Sequence, residues 1–144
     1  MQISEALQAL KNGDSIIVRD KTFEPHSIDE FRLETGETVF WIKDGENMWL
    51  SVDEGSEEVI LFNEIEADID PSAETVFYGG DDYEFSLEVS AKVLDEDGEE
   101  IDRIDFKDFD RGDGQLLRAM EYEVSGDVMV AIGSKVSDEE LYEA

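Results

Sequence analysis

The residue types with the clearest chemical potential are aspartates that crowd two short segments of the chain. One segment covers residues 95–100 and the other covers residues 105–113, and a glycine lies within or directly after each. Hard cations such as calcium take roughly six to eight oxygen ligands from loops of this kind. The candidate calcium ligands are Asp95, Asp97, Asp105, Asp108, Asp110 and Asp113.

The spacing of these aspartates does not fit the EF-hand calcium loop. With Asp108 as the first ligand, the fifth position is Gly112 and the twelfth is Ala119, which offers no carboxylate. Lys107 and Arg111 would also place positive charge beside the ion. Ordinary hairpin turns are therefore the alternative interpretation of both segments, and calcium is the only cofactor that the sequence suggests.

The chain lacks the residue combinations that most enzymes need. His26 is the only histidine and there is no cysteine, so a catalytic triad or a zinc site has too few partners. The sequence contains no nucleophile elbow, P-loop or dinucleotide fingerprint. Among 40 acidic residues some pair always suits glycoside hydrolysis, so carboxylates alone indicate nothing. We predict no catalytic site, with a small-molecule enzyme built on carboxylates as the alternative.

Four aromatic residues are the best candidates for a binding surface. Trp41 and Trp49 flank the turn at Asp44-Gly45, and an exposed tryptophan pair would indicate a ligand or partner surface. Tryptophan in a strand more often fills a core, which is the alternative for this pair. The binding-surface candidates are Trp41, Trp49, Tyr78 and Tyr122.

The net charge limits the partners. It is −29, from 40 acidic and 11 basic residues, and residues 44–91 contain 15 acids and no lysine or arginine. Such a chain lacks the basic footprint of nucleic-acid binding and is repelled by anionic membranes. A basic protein is the natural partner, because complementary charge steers encounter. A solvated surface without a partner and adaptation to a salt-rich cytoplasm are the alternatives.

The elements that must position these residues are mostly strands. Residues 3–11 carry apolar side chains at helical spacing, with Ser4 as a candidate cap, and predict one short helix that Gly13 ends. Beyond it the period becomes two, most clearly over residues 83–93, where apolar and polar side chains alternate. About ten antiparallel strands with turns at regular spacing predict an all-β sandwich or barrel.

The chain length predicts a single domain over residues 1–144. Two similar hairpin pairs suggest duplicated meanders as pseudo-repeat halves, residues 12–65 and 75–136. The acidic connection over residues 63–75, which includes Pro71, is the candidate hinge between them. The N-terminus resembles no signal peptide and no apolar run is long enough to span a bilayer, so we expect a soluble, cytoplasmic protein.

Several short motifs together resemble the bacterial domain-of-unknown-function 4178 family. They are Leu10 with Gly13-Asp14, and the runs 49–52, 78–83, 122–127 and 133–139, which occur in the expected order over most of the chain. The chain departs from the family pattern because its second half has no tryptophan. The resemblance implies a β-rich fold in a bacterial or archaeal cytoplasm and a link to membrane-stress gene neighbourhoods, and it transfers no catalytic residue.

These observations favour a non-enzymatic interaction or accessory module. The alternatives are a calcium-binding protein, a small-molecule enzyme with a carboxylate site, and a structural domain adapted to high salt. An exposed aromatic patch ringed by acids would favour the module. A deep pocket whose carboxylates have pKa values pushed apart would favour the enzyme.

Overall fold

The structure, a computed structural model, describes residues 1–70 and 72–144. Within these residues it is mostly β, with one α helix, as the sequence predicted, and with twelve strands rather than about ten. In chain order the elements are α1 Ile3–Lys11, β1 Ile16–Val18, β2 Lys21–Phe23, β3 Pro25–Leu33, β4 Thr38–Asp44, β5 Met48–Asp53, β6 Glu58–Ile65, β7 Thr75–Tyr78, β8 Asp81–Leu94, β9 Glu100–Asp110, β10 Gln115–Tyr122, β11 Val128–Val136, a 3-10 turn Asp138–Glu140 and β12 Leu141–Glu143.

Helix α1 has the predicted bounds but not the predicted cap. Gln2 occupies the N-cap position without a side-chain hydrogen bond, and Ser4 lies inside the first turn. Gly13 ends the helix with a φ of 86°, a left-handed conformation that glycine adopts without steric cost. Because α1 has only nine residues, it cannot cross a bilayer, and the described residues contain no longer helix.

Eight of the strands close into an antiparallel barrel, which decides between the two predicted architectures. The strand order is β3-β4-β5-β6-β11-β10-β9-β8, and β8 returns to β3 through the pairs from Glu30↔Leu94 to Leu33↔Ala91. β7 pairs with residues 81–84 at the beginning of β8, whereas β3 pairs with residues 91–94 at the other end of β8. The barrel therefore consists of two four-stranded meanders, β3–β6 and β8–β11. The first strands of the two meanders, β3 and β8, pair with each other, and so do the last strands, β6 and β11. A common origin of the two meanders stays a prediction.

Two layers cover the outside of the barrel. Helix α1 and the three-stranded sheet β12-β1-β2 pack on one side through a cluster that includes Leu7, Leu10, Phe23, Ile42 and Leu50. On the other side, a second cluster joins β7 and the chain after β6 to strands β8–β11, with Tyr83, Phe109 and Leu117 at its centre. Both layers bury apolar side chains that the barrel wall presents outward, so the wall is sandwiched at these places.

The predicted hinge is instead a packed segment. Ile65, Ala67 and Ile69 point toward the second outer cluster, while Glu66 and Asp68 are exposed. The meanders on either side of this segment share one barrel, so it does not separate two bodies. Pro71, which belonged to the predicted hinge, lies outside the described residues.

Candidate functional site

Side chains fill the inside of the barrel. Phe31, Trp41, Phe62, Ile104 and Phe106 are almost completely buried there, contributed by strands on every side. An eight-stranded barrel has an interior just wide enough for side chains. Gly133 faces the same space, since a Cβ on it would lie 2.5 Å from the ring of Phe62. The interior is therefore a packed core.

An ion pair lies at the centre of this core. Arg118 on β10 stands directly opposite Asp108 on β9, and its Nε and Nη2 donate to the two carboxylate oxygens at 2.7 and 3.0 Å. The guanidinium carbon lies 4.7 Å from the ring centroid of Phe62 and 4.4 Å from that of Phe106. Asp108, a candidate calcium ligand, is thus an internal counter-ion, because its strand alternation points it inward with Phe106.

The tryptophan pair also lies inside. Trp41 and Trp49 stack with ring centroids 5.1 Å apart, and Trp41 is 1% exposed. Trp41 therefore cannot belong to a binding surface, which corrects the sequence interpretation. Tyr122 packs against the same interior cluster, whereas Tyr78 packs against the outer cluster beside β7. The four aromatic candidates do not form one patch.

Three buried donors of this interior have no acceptor among the described residues. They are Nε1 of Trp41, Nε1 of Trp49 and Nη1 of Arg118. A buried donor without a partner is unfavourable. At these three donors, the barrel interior therefore loses hydrogen bonds to water without gaining hydrogen bonds to the described residues.

One end of the barrel carries two groups with shifted pKa values. Burial raises the pKa of the Tyr122 phenol, and the nearby carboxylate of Asp29 raises it further. Burial also raises the pKa of Asp29, with smaller effects from Glu96 and Asp95. Both shifts favour the neutral form, as expected where carboxylates crowd around partly desolvated groups.

Four of the other candidate metal ligands, Asp95, Asp105, Asp110 and Asp113, accept hydrogen bonds from within the protein. Asp95 accepts the N–H groups of Asp97 and Glu99 at 2.9 and 3.0 Å, which closes the β8–β9 turn. Asp110 accepts the N–H of Gly112, and Asp113 pairs with Arg111 at 2.6 Å. Asp105 accepts the hydroxyl of Ser90. Across the described ranges, no cluster of three or more histidine, cysteine or acidic side chains is suited to hold a metal ion.

A groove on the outer face of β9–β11 brings together residues that the sequence analysis did not select. It measures about 400 Å³ and lies between residues 67–69 with Ser72 on one side and the barrel wall on the other. We call it the acidic groove. Its apolar residues include Ala67, Ile69, Ala119, Val128 and Val130, and its charged residues are Asp68, Glu88, Asp105, Lys107 and Glu121.

The sequence of the predicted hinge contains a pattern that indicates one wall of this groove. Ile65, Ala67 and Ile69 alternate there with Glu66, Asp68 and Asp70, which is the period of an extended chain with one buried face. The acidic composition of the segment obscured this alternation. His26, the only histidine, is exposed on β3 and lies outside the acidic groove.

Comparison with known proteins gives no relative. No family model matches the chain, and neither a curated protein nor a solved structure matches it significantly. The resemblance to the domain-of-unknown-function 4178 family therefore stays a prediction.

Proposed function

We propose that the chain is a non-enzymatic interaction module that binds a basic segment of a partner protein in the acidic groove. The observation that carries the proposal is an apolar surface, Ala119, Val128 and Val130, set among four carboxylates in one groove. Apolar side chains of the partner would cover the first group, and its lysines or arginines would meet the second. Interfaces combine an apolar centre with a polar rim in the same way.

The charges of the groove favour a cationic partner. Among the described residues that line it, Lys107 is the only basic one, against Asp68, Glu88, Asp105 and Glu121. Hydrogen bonds from Ser72 hold the pKa of Asp70, beside the groove, below its usual range, and the charge of Lys107 adds to this effect. Asp70 is therefore ionised at neutral pH, and the net charge of −29 would speed encounter with a basic protein.

An apolar side chain at the edge of the groove supports a partner that is not purely charged. Val128 is 70% exposed although it stands in a strand opposite Glu121. Covering such a side chain is favourable through the hydrophobic effect. A basic segment with alternating apolar residues would place every second side chain on this surface, because extended chains have a period of two.

The proposed setting is the cytoplasm, where proteins without disulfides are common.

A structural domain adapted to high salt is the second proposed role, and it rests on the charge of −29. Thermal unfolding in a KCl series tests it: stability that keeps climbing into molar KCl, beyond the range in which surface charges are screened, is the expected result. A plateau below about 0.5 M KCl would contradict salt adaptation.

Binding of synthetic peptides tests the interaction role. The probe is an eight-residue peptide alternating lysine and valine, compared with a lysine–serine peptide of equal charge, by fluorescence anisotropy in 150 mM KCl. We expect the lysine–valine peptide to bind more tightly, because only it can cover the apolar surface. The double variant Asp68→Lys/Glu121→Lys should weaken its binding at least about tenfold, the loss of roughly 1.4 kcal/mol.

The matched control is Asp14→Lys/Glu37→Lys, which changes the net charge equally at exposed positions outside the groove. Its effect measures general charge attraction. If this control weakens binding as much as the groove variant does, or if the two peptides bind equally, the groove is not the binding site and the proposal fails.

A further inference from the structure

The few basic residues of this chain include three that meet in one line. Arg32 on β3 stands directly opposite Lys92 on β8, and Lys92 stands directly opposite Arg103 on β9. Directly opposed residues on neighbouring strands have Cβ atoms roughly 5 Å apart, and like charges placed there destabilise a sheet. We call these three residues the basic row. It gathers three of the 11 basic residues in a protein with 40 acids.

The basic row is on the outside of the barrel. The strand neighbours Phe31 and Val93 point into the interior core, so Arg32 and Lys92 point away from it. The side chains of Arg32 and Arg103 are 59% and 58% exposed. Together with Ser90 and Leu94 the row lines a groove of about 560 Å³, which lies in the size range of small-molecule sites.

The donors of the basic row are only partly engaged. Nε of Arg32 donates to Glu30 at 2.9 Å, and Nε of Arg103 lies 3.6 Å from Glu100. Within residues 1–70 and 72–144, no hydrogen bond engages the terminal guanidinium nitrogens of the two arginines, and neither a hydrogen bond nor an ion pair engages Nζ of Lys92. Unengaged donors on three adjacent strands therefore face one groove.

We propose that the basic row binds the phosphate group of a small molecule. A phosphate has several acceptor oxygens, and arginine forks and a lysine ammonium are its usual protein donors. A bound phosphate would also offset the repulsion among the three opposed cations. In the part of the chain that the structure describes, Lys92 has no acidic partner that could offset this repulsion in its place.

The surroundings of the row favour a small ligand over a polyanion. Glu34, Glu100 and Glu123 line the same groove, so an extended anionic chain would meet carboxylates on either side of the row. The whole molecule, at −29, repels nucleic acid. A single phosphate group reaches the row without covering these acids.

Titration with phenyl phosphate, followed by amide chemical shifts at constant ionic strength, tests the site. We expect saturable shifts centred on residues 32, 92 and 103. Lys92→Gln and Arg103→Gln should each raise the dissociation constant about tenfold, as expected for loss of a charge-assisted hydrogen bond. The matched control Lys21→Gln removes an exposed lysine elsewhere and should change it less than about twofold.

Two further probes distinguish the possible sources of the phosphate. Inorganic phosphate that binds as tightly as phenyl phosphate indicates a site for the free ion, whereas tighter phenyl phosphate indicates a phosphorylated small molecule. Shifts that do not saturate, or an equal loss in Lys21→Gln and Lys92→Gln, would overturn the proposal. A glutamate-rich peptide that binds more tightly than phenyl phosphate would also overturn it.

Discussion

The interior ion pair and the basic row treat cationic side chains in opposite ways. Arg118 is 5% exposed, is held by both oxygens of Asp108, and is enclosed by aromatic rings. Lys92 is exposed, stands between two arginines, and has no acidic partner among the described residues. The first arrangement places opposite charges across two neighbouring strands, which is favourable, while the second places like charges there, which weakens a sheet unless an anion binds. Departures from local stability of this second kind are expected at functional sites.

The largest effect should come from breaking the interior pair. Asp108→Asn leaves a charged guanidinium in the core without a counter-ion, and removal of one partner of a buried pair costs about 3–5 kcal/mol. Urea unfolding measures the loss, with Asp82→Asn, an exposed acid on β8, as the control. The double variant Asp108→Leu/Arg118→Met should recover most of the stability, since it removes both charges. An Asp108→Asn loss no larger than that of the control would show that the pair is not buried as described.

A second test measures how tightly the barrel interior is packed around Gly133. Gly133→Ala would place a Cβ 2.5 Å from the ring of Phe62, and overpacking a core typically costs about 1–3 kcal/mol. Gly55→Ala is the control, because its Cβ would meet only an oxygen of Asp53 at an ordinary 3.5 Å. We expect a lower denaturation midpoint for Gly133→Ala alone. Equal midpoints would mean that the interior yields easily.

Removing a charge from the basic row should change stability less than the two substitutions above, and it should not lower it. Lys92→Gln relieves two like-charge contacts, so at low salt it should leave stability unchanged or raise it slightly. Lys135→Gln removes a lysine that pairs with Glu58 at 3.3 Å and should lower stability by a few tenths of a kcal/mol. Thermal unfolding in 20 mM and 300 mM KCl checks both signs, and the difference should shrink at the higher concentration. A larger loss for Lys92→Gln would make the row a stabilising feature.

The smallest effect concerns Asp29 at the end of the barrel. Its pKa is raised in the folded protein, so the folded state holds this proton more tightly than the unfolded chain does. Stability from this group is therefore present below the unfolded pKa and is lost as pH rises through the folded pKa. Asp29→Asn should stabilise the protein at pH 7 relative to Asp82→Asn, and the advantage should vanish near pH 3. An advantage that is the same at both pH values would contradict this assignment.

Local patterns in the sequence predicted local structure well. The helical spacing over residues 3–11 matches α1, and the alternation over residues 83–93 lies within β8, although a register shift between Phe85 and Leu87 leaves these two predicted buried side chains exposed. Closure of the barrel depends on pairing β3 with β8 and β6 with β11, which no local pattern encodes, so sandwich and barrel could not be separated. The fold was therefore predictable to the level of strands and turns, and the closed topology was not.

The interior pair shows a signal that the sequence carried. Arg118 stands between Leu116 and Met120 at the spacing of a buried strand face, and Asp108 continues the series of Ile104 and Phe106. A charge at such a position implies a buried partner of opposite sign. The calcium interpretation grouped Asp108 with its neighbours along the chain, whereas its partner lies across the sheet. The basic row is likewise invisible along the chain, because its members are separated by 60 and 11 residues.

The way in which the meanders join has a consequence for synthesis. β3 and β6 are the two edges of the first meander, and the strands that cover them, β8 and β11, are made later. Open sheet edges promote association between chains, and charge is a common protection against it. Residues 44–91, with 15 acids and no basic residue, include β6, whose partner β11 is the last barrel strand to be made, and so carry charge next to this open edge. We expect a chain with these acids neutralised to aggregate during cell-free translation, while the finished barrel gains stability from the same change.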